Sequence, residues 1–196
     1  SGRRQERKLF LMNIFISGGC KNGKSYHAQE LARDMAVQGG LPLYYLATMI
    51  PHDDEDRARI CRHLSERDGW GFETVEQGTN ICAALDSRTV SGQPVERGGV
   101  FLLDSVTALL SNEMFHADGS VDFDAGSRIA EDLTRFAAQT GNTVFVSDYL
   151  YSDAFAFDDF TDHYREALAL CDRALAKCCE QVIEVSYGFY HYWKGL

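Results

Sequence analysis

Residues 17–25 read Ser-Gly-Gly-Cys-Lys-Asn-Gly-Lys-Ser, and no other stretch constrains the fold of this chain as strongly. Gly18, Gly23, Lys24 and Ser25 fill the pattern G-x-x-x-x-G-K-[ST]. Ahead of it, Met12-Asn13-Ile14-Phe15-Ile16 is an apolar run with strand propensity. Behind it, Tyr26-His27-Ala28-Gln29-Glu30-Leu31-Ala32 opens a helical pattern. A strand, a glycine-rich loop and a helix N-terminus in that order make a phosphate cradle. The backbone of Gly18, Gly19, Cys20, Lys21, Asn22 and Gly23 can curl its N–H groups around an anion, Lys24 reaches the β/γ-phosphates, and Ser25 can hold Mg²⁺. A plain glycine-rich turn is the alternative, and it leaves Lys24-Ser25 unexplained.

The rest of the chain repeats the same logic. Apolar, strand-like runs recur at 12–17, 41–47, 99–104, 143–147 and 181–186. Several are apolar at nearly every position, which fits strands buried on both faces of a parallel sheet. Helical patterns lie between them, near 24–38, 54–67, 105–115, 121–139 and 159–179. This alternation predicts an α/β domain with a mostly parallel sheet flanked by helices. Phe72–Glu76 reads as a short extra strand. Tyr187-Gly188 sits between two strand-like runs, so residues 181–194 can form a terminal hairpin that adds an antiparallel edge.

The chain of 196 residues suits one domain with one sizeable core. Its net charge of −10 argues against nucleic acid as a partner, so an anionic nucleotide must be held by a local site. No apolar run approaches the roughly 20 residues of a membrane span. Residues 1–11 carry Arg3, Arg4, Arg7 and Lys8 against Glu6 and lack the features of a signal peptide. We read them as an upstream extension or a remnant of expression, with Met12 the expected native start and residues 12–196 as a single P-loop nucleotide-binding domain. Cys20, Cys61, Cys82, Cys171, Cys178 and Cys179 show no metal-site spacing, which favours reduced thiols and a cytoplasmic setting.

Four further groups of residues carry candidate chemistry. Asp104 ends the run Val100-Phe101-Leu102-Leu103, the Walker-B pattern in which a carboxylate holds Mg²⁺. The alternative is helix capping by Asp104 or Ser105. Asp53, Asp54, Glu55 and Asp56 form an acidic helix start, which the macrodipole favours by itself. Downstream, Asp56, Arg59, His63 and Arg67 fall on one helix face. Such a face can be a solvated surface. It can also carry an imidazole nucleophile between phosphate-holding guanidiniums. Asp148, Tyr149, Tyr151 and Asp153 follow a strand at the edge where open α/β sheets place ligands, and are candidate substrate contacts. Tyr187, Tyr190, Tyr192 and Trp193 are expected to cover a sheet edge or an oligomer interface.

Several segments together resemble the bifunctional adenosylcobinamide kinase/adenosylcobinamide-phosphate guanylyltransferase family of cobalamin biosynthesis. The family's G-G-x-x-[SG]-G-K-S loop and following His-Ala appear as Gly18–Ser25 and His27-Ala28. Its Y-[IL]-A-T strand end appears as Tyr45-Leu46-Ala47-Thr48. Its D-D-E-x-x-x-R-I-x-x-H-x-x-x-R helix appears as Asp53-Asp54-Glu55, Arg59-Ile60, His63 and Arg67. Thr74-Val75-Glu76 matches T-x-E, and Leu102–Thr107 with Leu110-Ser111-Asn112 matches the segment after it. The second half departs: where the family reads S-N-E-V-G-x-G-x-V-P, this chain has Ser147-Asp148-Tyr149-Leu150-Tyr151-Ser152-Asp153.

The resemblance implies a RecA-like P-loop domain that assembles as a homotrimer. It implies phosphorylation of adenosylcobinamide by ATP or GTP, then transfer of GMP from GTP through a GMP–histidine. On this reading His63 is the nucleophile, ahead of His52 and His27, with Arg59, Arg62 and Arg67 clamping the triphosphate. Lys24 serves phosphoryl transfer, and Ser25 and Asp104 hold Mg²⁺. Ala47, Thr48, Met49, Leu64, Ser65, Glu66, Arg67, Glu76 and Asp104 line the guanine-nucleotide site. Two other readings compete: a P-loop kinase for another small molecule, and a non-catalytic nucleotide-binding relative.

Overall fold

The computed structural model describes residues 12–19, 22–51, 53–149 and 159–195, apart from the side chains of Arg59, Arg62, His63, Leu64, Glu66 and Asp159. Six parallel strands and one antiparallel strand form a single sheet in the order β3-β2-β4-β5-β1-β6-β7. They are β1 (Ile14–Gly18), β2 (Leu43–Ala47), β3 (Phe72–Glu76), β4 (Val100–Asp104), β5 (Thr143–Asp148), β6 (Gln181–Ser186) and β7 (Phe189–Lys194). The helices are α1 (Lys24–Gly39), α2 (Asp54–Glu66), α3 (Val106–Met114), α4 (Ala125–Thr140) and α5 (Asp159–Cys178). This is the expected fold class, antiparallel C-terminal edge included.

The unbroken apolar runs are explained by two cores, one on each face of the sheet. Successive residues of a strand point to opposite faces. Ile14, Ile16, Tyr45, Leu102, Val144 and Val146 therefore pack with Ala28, Ala32 and Ala36 of α1. Phe15, Leu46, Phe101, Leu103 and Phe145 pack with α3, α4 and α5 through Leu109, Leu133, Phe136 and Leu168. A polar peg closes the bottom of the sheet. The buried Asn13 donates from Nδ2 to the Ala137 carbonyl (3.0 Å) and accepts from the Thr143 amide (3.0 Å).

Some boundaries differ from the sequence reading, each for a local reason. The run at 41–47 becomes a strand only at Leu43, because Pro42 has no N–H to donate. Helix α4 begins at Ala125, not 121. Asp122 accepts from the Asp124 amide (2.9 Å) and holds a turn there, while Val121 bridges back to Phe115. A short 3-10 helix at Ile81–Asp86 was not foreseen. It buries Ile81, Ala84 and Leu85, a pattern too brief to show a period. The terminal hairpin forms, and both residues of its turn, Tyr187 (φ 51°) and Gly188 (φ 79°), adopt the positive φ of a tight two-residue connection. Strand β7 is the sheet edge, with all six residues exposed.

Candidate functional site

The phosphate loop joins β1 to α1, and two glycines fix its path. A Cβ on Gly18 would lie 2.6 Å from the Val185 carbonyl oxygen of β6 and would collide with the Asn22 amide, so nothing larger than hydrogen fits. Gly23, at φ 85°, takes the left-handed conformation that starts α1. Asn22 fastens the loop from inside. Its Nδ2 donates to the Val185 carbonyl (2.7 Å), and its Oδ1 accepts from the Lys24 amide (3.2 Å). Lys24 is 4 % exposed. Its ammonium donates to the Gly19 carbonyl (2.9 Å) and forms an ion pair with Asp148. Ser25 is half-buried in the first turn of α1. Cys20 and Lys21 lie outside the described residues.

The carboxyl edge of the sheet brings the sequence candidates into one row. Glu76 of β3 pairs in register with Ala47 of β2, and Ala47 with Asp104 of β4; Asp148 of β5 pairs with Gly18 of β1. Neighbouring strands lie about 4.8 Å apart, so Asp104 and the phosphate loop, separated only by β5, are roughly 10 Å apart across the sheet. Strand parity then decides the face. Asp104 follows Leu102, and Asp148 follows Val146, on the side packed against α1. Lys24, Ser25, Asp104 and Asp148 therefore converge above one face of the sheet. Ser105 settles the capping question, since its side chain accepts from the Ala108 amide (3.2 Å) at the start of α3. The cap of α3 is thus supplied without Asp104. A hydroxyl and a carboxylate on the phosphate side of the site are the oxygen donors that Mg²⁺ prefers, so Ser25 and Asp104 fit the ion expected of them.

Strand ends β2 and β3 are held by a polar clasp. Thr48 is fully buried, and its hydroxyl accepts from the Ser105 amide (2.8 Å) and donates to the Ser105 carbonyl (2.9 Å). Asn112 of α3 donates from Nδ2 to the carbonyls of Thr48 (2.7 Å) and Gly78 (2.8 Å). The side chain of Thr48 is therefore spent on positioning the strand end. Met49 beside it is half-buried, and Glu76 and Ser65 are exposed.

Arg67, just past the end of α2, is 6 % exposed and turns inward. Its guanidinium carbon sits 3.5 Å from the centroid of the Tyr45 ring. Burial, with the Asp104 carboxylate beside it, pushes the Tyr45 phenol far above its ordinary range. Tyr45 thus neighbours both the Arg67 guanidinium and the Asp104 carboxylate. Sequence reading placed Arg67 on a phosphate clamp and gave Tyr45 no role of its own. The signal for Tyr45 was its parity with Ala47 on a strand whose end faces the site.

The remaining candidates are less closely placed. His63 lies on α2 between Arg59 and Arg67; the side chains of His63, Arg59, Arg62, Leu64 and Glu66 are outside the described set, as is His52. His27 stacks on Tyr190 of β7, with centroids 4.0 Å apart. Burial lowers its pKa below the usual 6.5, more than the neighbouring Glu30 raises it. A hollow of about 310 Å³ beside it is lined by Tyr26, Glu30, Arg33 and Trp70, and another of about 440 Å³ by Arg67, Phe72 and Thr74. Both lie away from the Lys24–Asp148 pair, so geometry rather than hollow size identifies the site. Tyr151 and Asp153 lie outside the described residues.

The family model described as cobinamide kinase / cobinamide phosphate guanyltransferase matches residues 14–191. The chain belongs to this family. Among similar proteins, the bifunctional adenosylcobalamin biosynthesis protein CobP of Pseudomonas aeruginosa is 28 % identical over 171 residues, covering 87 % of this chain and 91 % of that one. The bifunctional adenosylcobalamin biosynthesis protein CobU of Escherichia coli is 32 % identical over 114 residues, covering 58 % of this chain and 56 % of the relative. Among solved structures, the flagellar accessory protein FlaH of Methanocaldococcus jannaschii aligns with a TM-score of 0.44 at 13 % identity, over 95 % of this chain and 79 % of that one. The family assignment rests on the sequence matches alone.

Membership in the cobinamide kinase / cobinamide phosphate guanyltransferase family extends across the half of the chain that departs from the family's motif. The Asp148-Tyr149 pair stands inside the matched span, at the end of a strand that hydrogen-bonds the phosphate-loop strand itself. Among the described residues, no helix is long and apolar enough to cross a membrane.

Proposed function

We propose that this protein phosphorylates adenosylcobinamide with ATP or GTP and then transfers GMP from GTP to the new phosphate. The observation that carries the reading is the convergence of a buried, loop-held Lys24 with Ser25 and Asp104 above one face of the sheet, in a chain of this family. In the first step the acceptor hydroxyl oxygen bonds to the γ-phosphorus, the bridge to the β-phosphate breaks, and the electron pair leaves with the nucleoside diphosphate. Lys24 and the loop amides hold the phosphate oxygens while charge shifts toward the leaving group. Ser25 and Asp104 would hold Mg²⁺, which would supply further charge neutralisation for the transfer.

In the second step the neutral imidazole of His63 attacks the α-phosphorus of GTP and pyrophosphate departs. The acceptor's phosphate oxygen then attacks the same phosphorus and returns His63 to its free state. Arg59 and Arg62 flank His63 in sequence and serve the triphosphate. Ala47, Met49, Leu64, Ser65, Glu66 and Glu76 line the guanine side by their match to the family. Arg67 contributes through Tyr45 and Asp104. Self-association, a trimer by resemblance, is assigned to the terminal hairpin, where Tyr187 of the turn is 95 % and Trp193 of β7 72 % exposed. A cytoplasmic setting is part of this proposal, in keeping with the free thiols of the described cysteines.

A kinase for a different small alcohol is the second reading, and the Asp148-Tyr149 pair in place of the family's Asn-Glu favours it. A non-catalytic relative is the third; the presence of Lys24, Ser25, Asp104 and His63 together speaks against it. Intact-protein mass measurement after incubation with GTP and Mg²⁺ tests the proposal. A GMP adduct that maps to His63, is lost in mild acid and is missing in His63→Ala supports it. An adduct on another residue, or none with GTP bound, removes the histidine step.

A further inference from the structure

The phosphate-loop lysine is already paired with an anion in this structure. Lys24 Nζ is shared between the Gly19 carbonyl and the carboxylate of Asp148. That carboxylate is held firmly from its own backbone. The Asp148 amide donates to Thr107 Oγ1 (2.9 Å), the Thr107 carbonyl accepts from the Tyr164 hydroxyl (2.9 Å), and the next amide, Tyr149, donates to the Gly18 carbonyl (3.1 Å). The side chain of Asp148 is 27 % exposed, whereas that of Lys24 is 5 % exposed.

Two consequences follow from electrostatics. With Lys24 and Asp148 paired, the net charge at the heart of the cradle is zero. Gly19 and Asp148 take two of the three N–H donors of that ammonium, so a nucleotide either shares Lys24 with Asp148 or displaces it. Either way, a γ-phosphate within hydrogen-bond distance of Nζ has the Asp148 carboxylate as its immediate neighbour. Two anions side by side repel unless something between them is shared. A hydroxyl meets that need, because its proton can go to the carboxylate while its oxygen faces phosphorus.

We propose that Asp148 is a further catalytic residue of the phosphoryl-transfer step. It occupies Lys24 while the site is empty and receives the acceptor's proton once the nucleotide has taken the lysine. The bond formed is acceptor oxygen to γ-phosphorus. The bond broken is the β–γ bridge, whose electron pair leaves with the diphosphate, and the acceptor proton ends on Asp148 Oδ. This inference rests on the phosphoryl-transfer reading above, but not on which alcohol is the acceptor, since water can take the acceptor's place in slow hydrolysis.

Asp148→Asn tests it, with Asp148→Ala as a second variant and thermal melting to certify that each is folded. Nucleotide affinity is measured by calorimetry with GTP in the absence of Mg²⁺, and transfer is measured with adenosylcobinamide and, separately, with water. Freeing Lys24 from a charged partner is expected to tighten GTP binding about tenfold. Loss of the proton acceptor is expected to slow both transfers by on the order of a hundredfold or more. Affinity unchanged or weaker in a folded variant overturns the pairing, and wild-type transfer rates overturn the catalytic role. A wild-type protein that hydrolyses GTP but leaves adenosylcobinamide untouched refutes the substrate assignment, and the hydrolysis arm then decides the role of Asp148.

Discussion

Arg67 lays its guanidinium over the ring of Tyr45, 3.5 Å from the centroid, and the same tyrosine lies beside the Asp104 carboxylate. This links the end of α2, the helix that carries His63, to the carboxylate assigned to Mg²⁺. A buried cation over an aromatic face sets the end of α2 against the sheet. It also places the Tyr45 hydroxyl next to Asp104.

Tyr45→Phe keeps the ring and the cation–π contact but removes the hydroxyl beside Asp104. The expected outcome is a loss of roughly 1 kcal/mol in unfolding free energy. The Mg²⁺ concentration needed for half-maximal phosphoryl transfer should also rise. A Mg²⁺ titration of wild type and variant checks it; identical midpoints would mean that Asp104 is oriented without the tyrosine.

Lys24→Ala should leave the fold intact and weaken GTP binding by about 1.5–3 kcal/mol, the worth of a charge-assisted contact. Calorimetric titration measures this directly. The variant also leaves Asp148 without its cation, so it is expected to lose more affinity than Asp148→Asn gains.

Asn112→Ala removes both donors that hold the strand-end carbonyls of Thr48 and Gly78. Two part-buried acceptors then lose their partners, at a cost on the order of 1–3 kcal/mol. Urea unfolding should show the midpoint falling with an unchanged slope. Nucleotide affinity should fall less than in Lys24→Ala, because the clasp shapes the edge without touching the phosphate loop.

The half-buried, stacked His27 gives stability a defined pH dependence. Its native pKa lies below the 6.5 of the unfolded chain, so the unfolded state takes up the proton first. Its contribution is intact above pH 6.5 and is lost as pH falls through the lowered native value. His27→Phe keeps a ring against Tyr190 and removes the titration. Thermal midpoints between about pH 5 and 8 should fall less steeply on the acid side in the variant than in wild type.

The strand, glycine loop and helix at residues 14–39, the parallel character of the sheet and the carboxylate at the end of β4 were legible because each depends on a local pattern. Gly18 and Gly23 mark a close approach and a positive φ, and unbroken apolar runs mark doubly buried strands. The Lys24–Asp148 pair and the Thr48–Ser105–Asn112 clasp were not legible in full. They join residues 124, 57 and 64 positions apart, and only the strand order brings those together. Arg67 shows the limit of periodicity most clearly. The spacing from Asp56 through Arg59 and His63 put it on a shared helix face. Its place one residue past the end of α2 instead lets it turn onto Tyr45, where sheet packing rather than helix phase decides its direction.

Chromatography and mass measurement of the corrinoid after incubation with the full chain, GTP and Mg²⁺ test the central claim most directly. Adenosylcobinamide should gain one phosphate and then a GMP unit, with pyrophosphate released in step with the second product. Consumption of GTP with the corrinoid recovered unchanged would contradict that claim and leave a P-loop transferase acting on another acceptor.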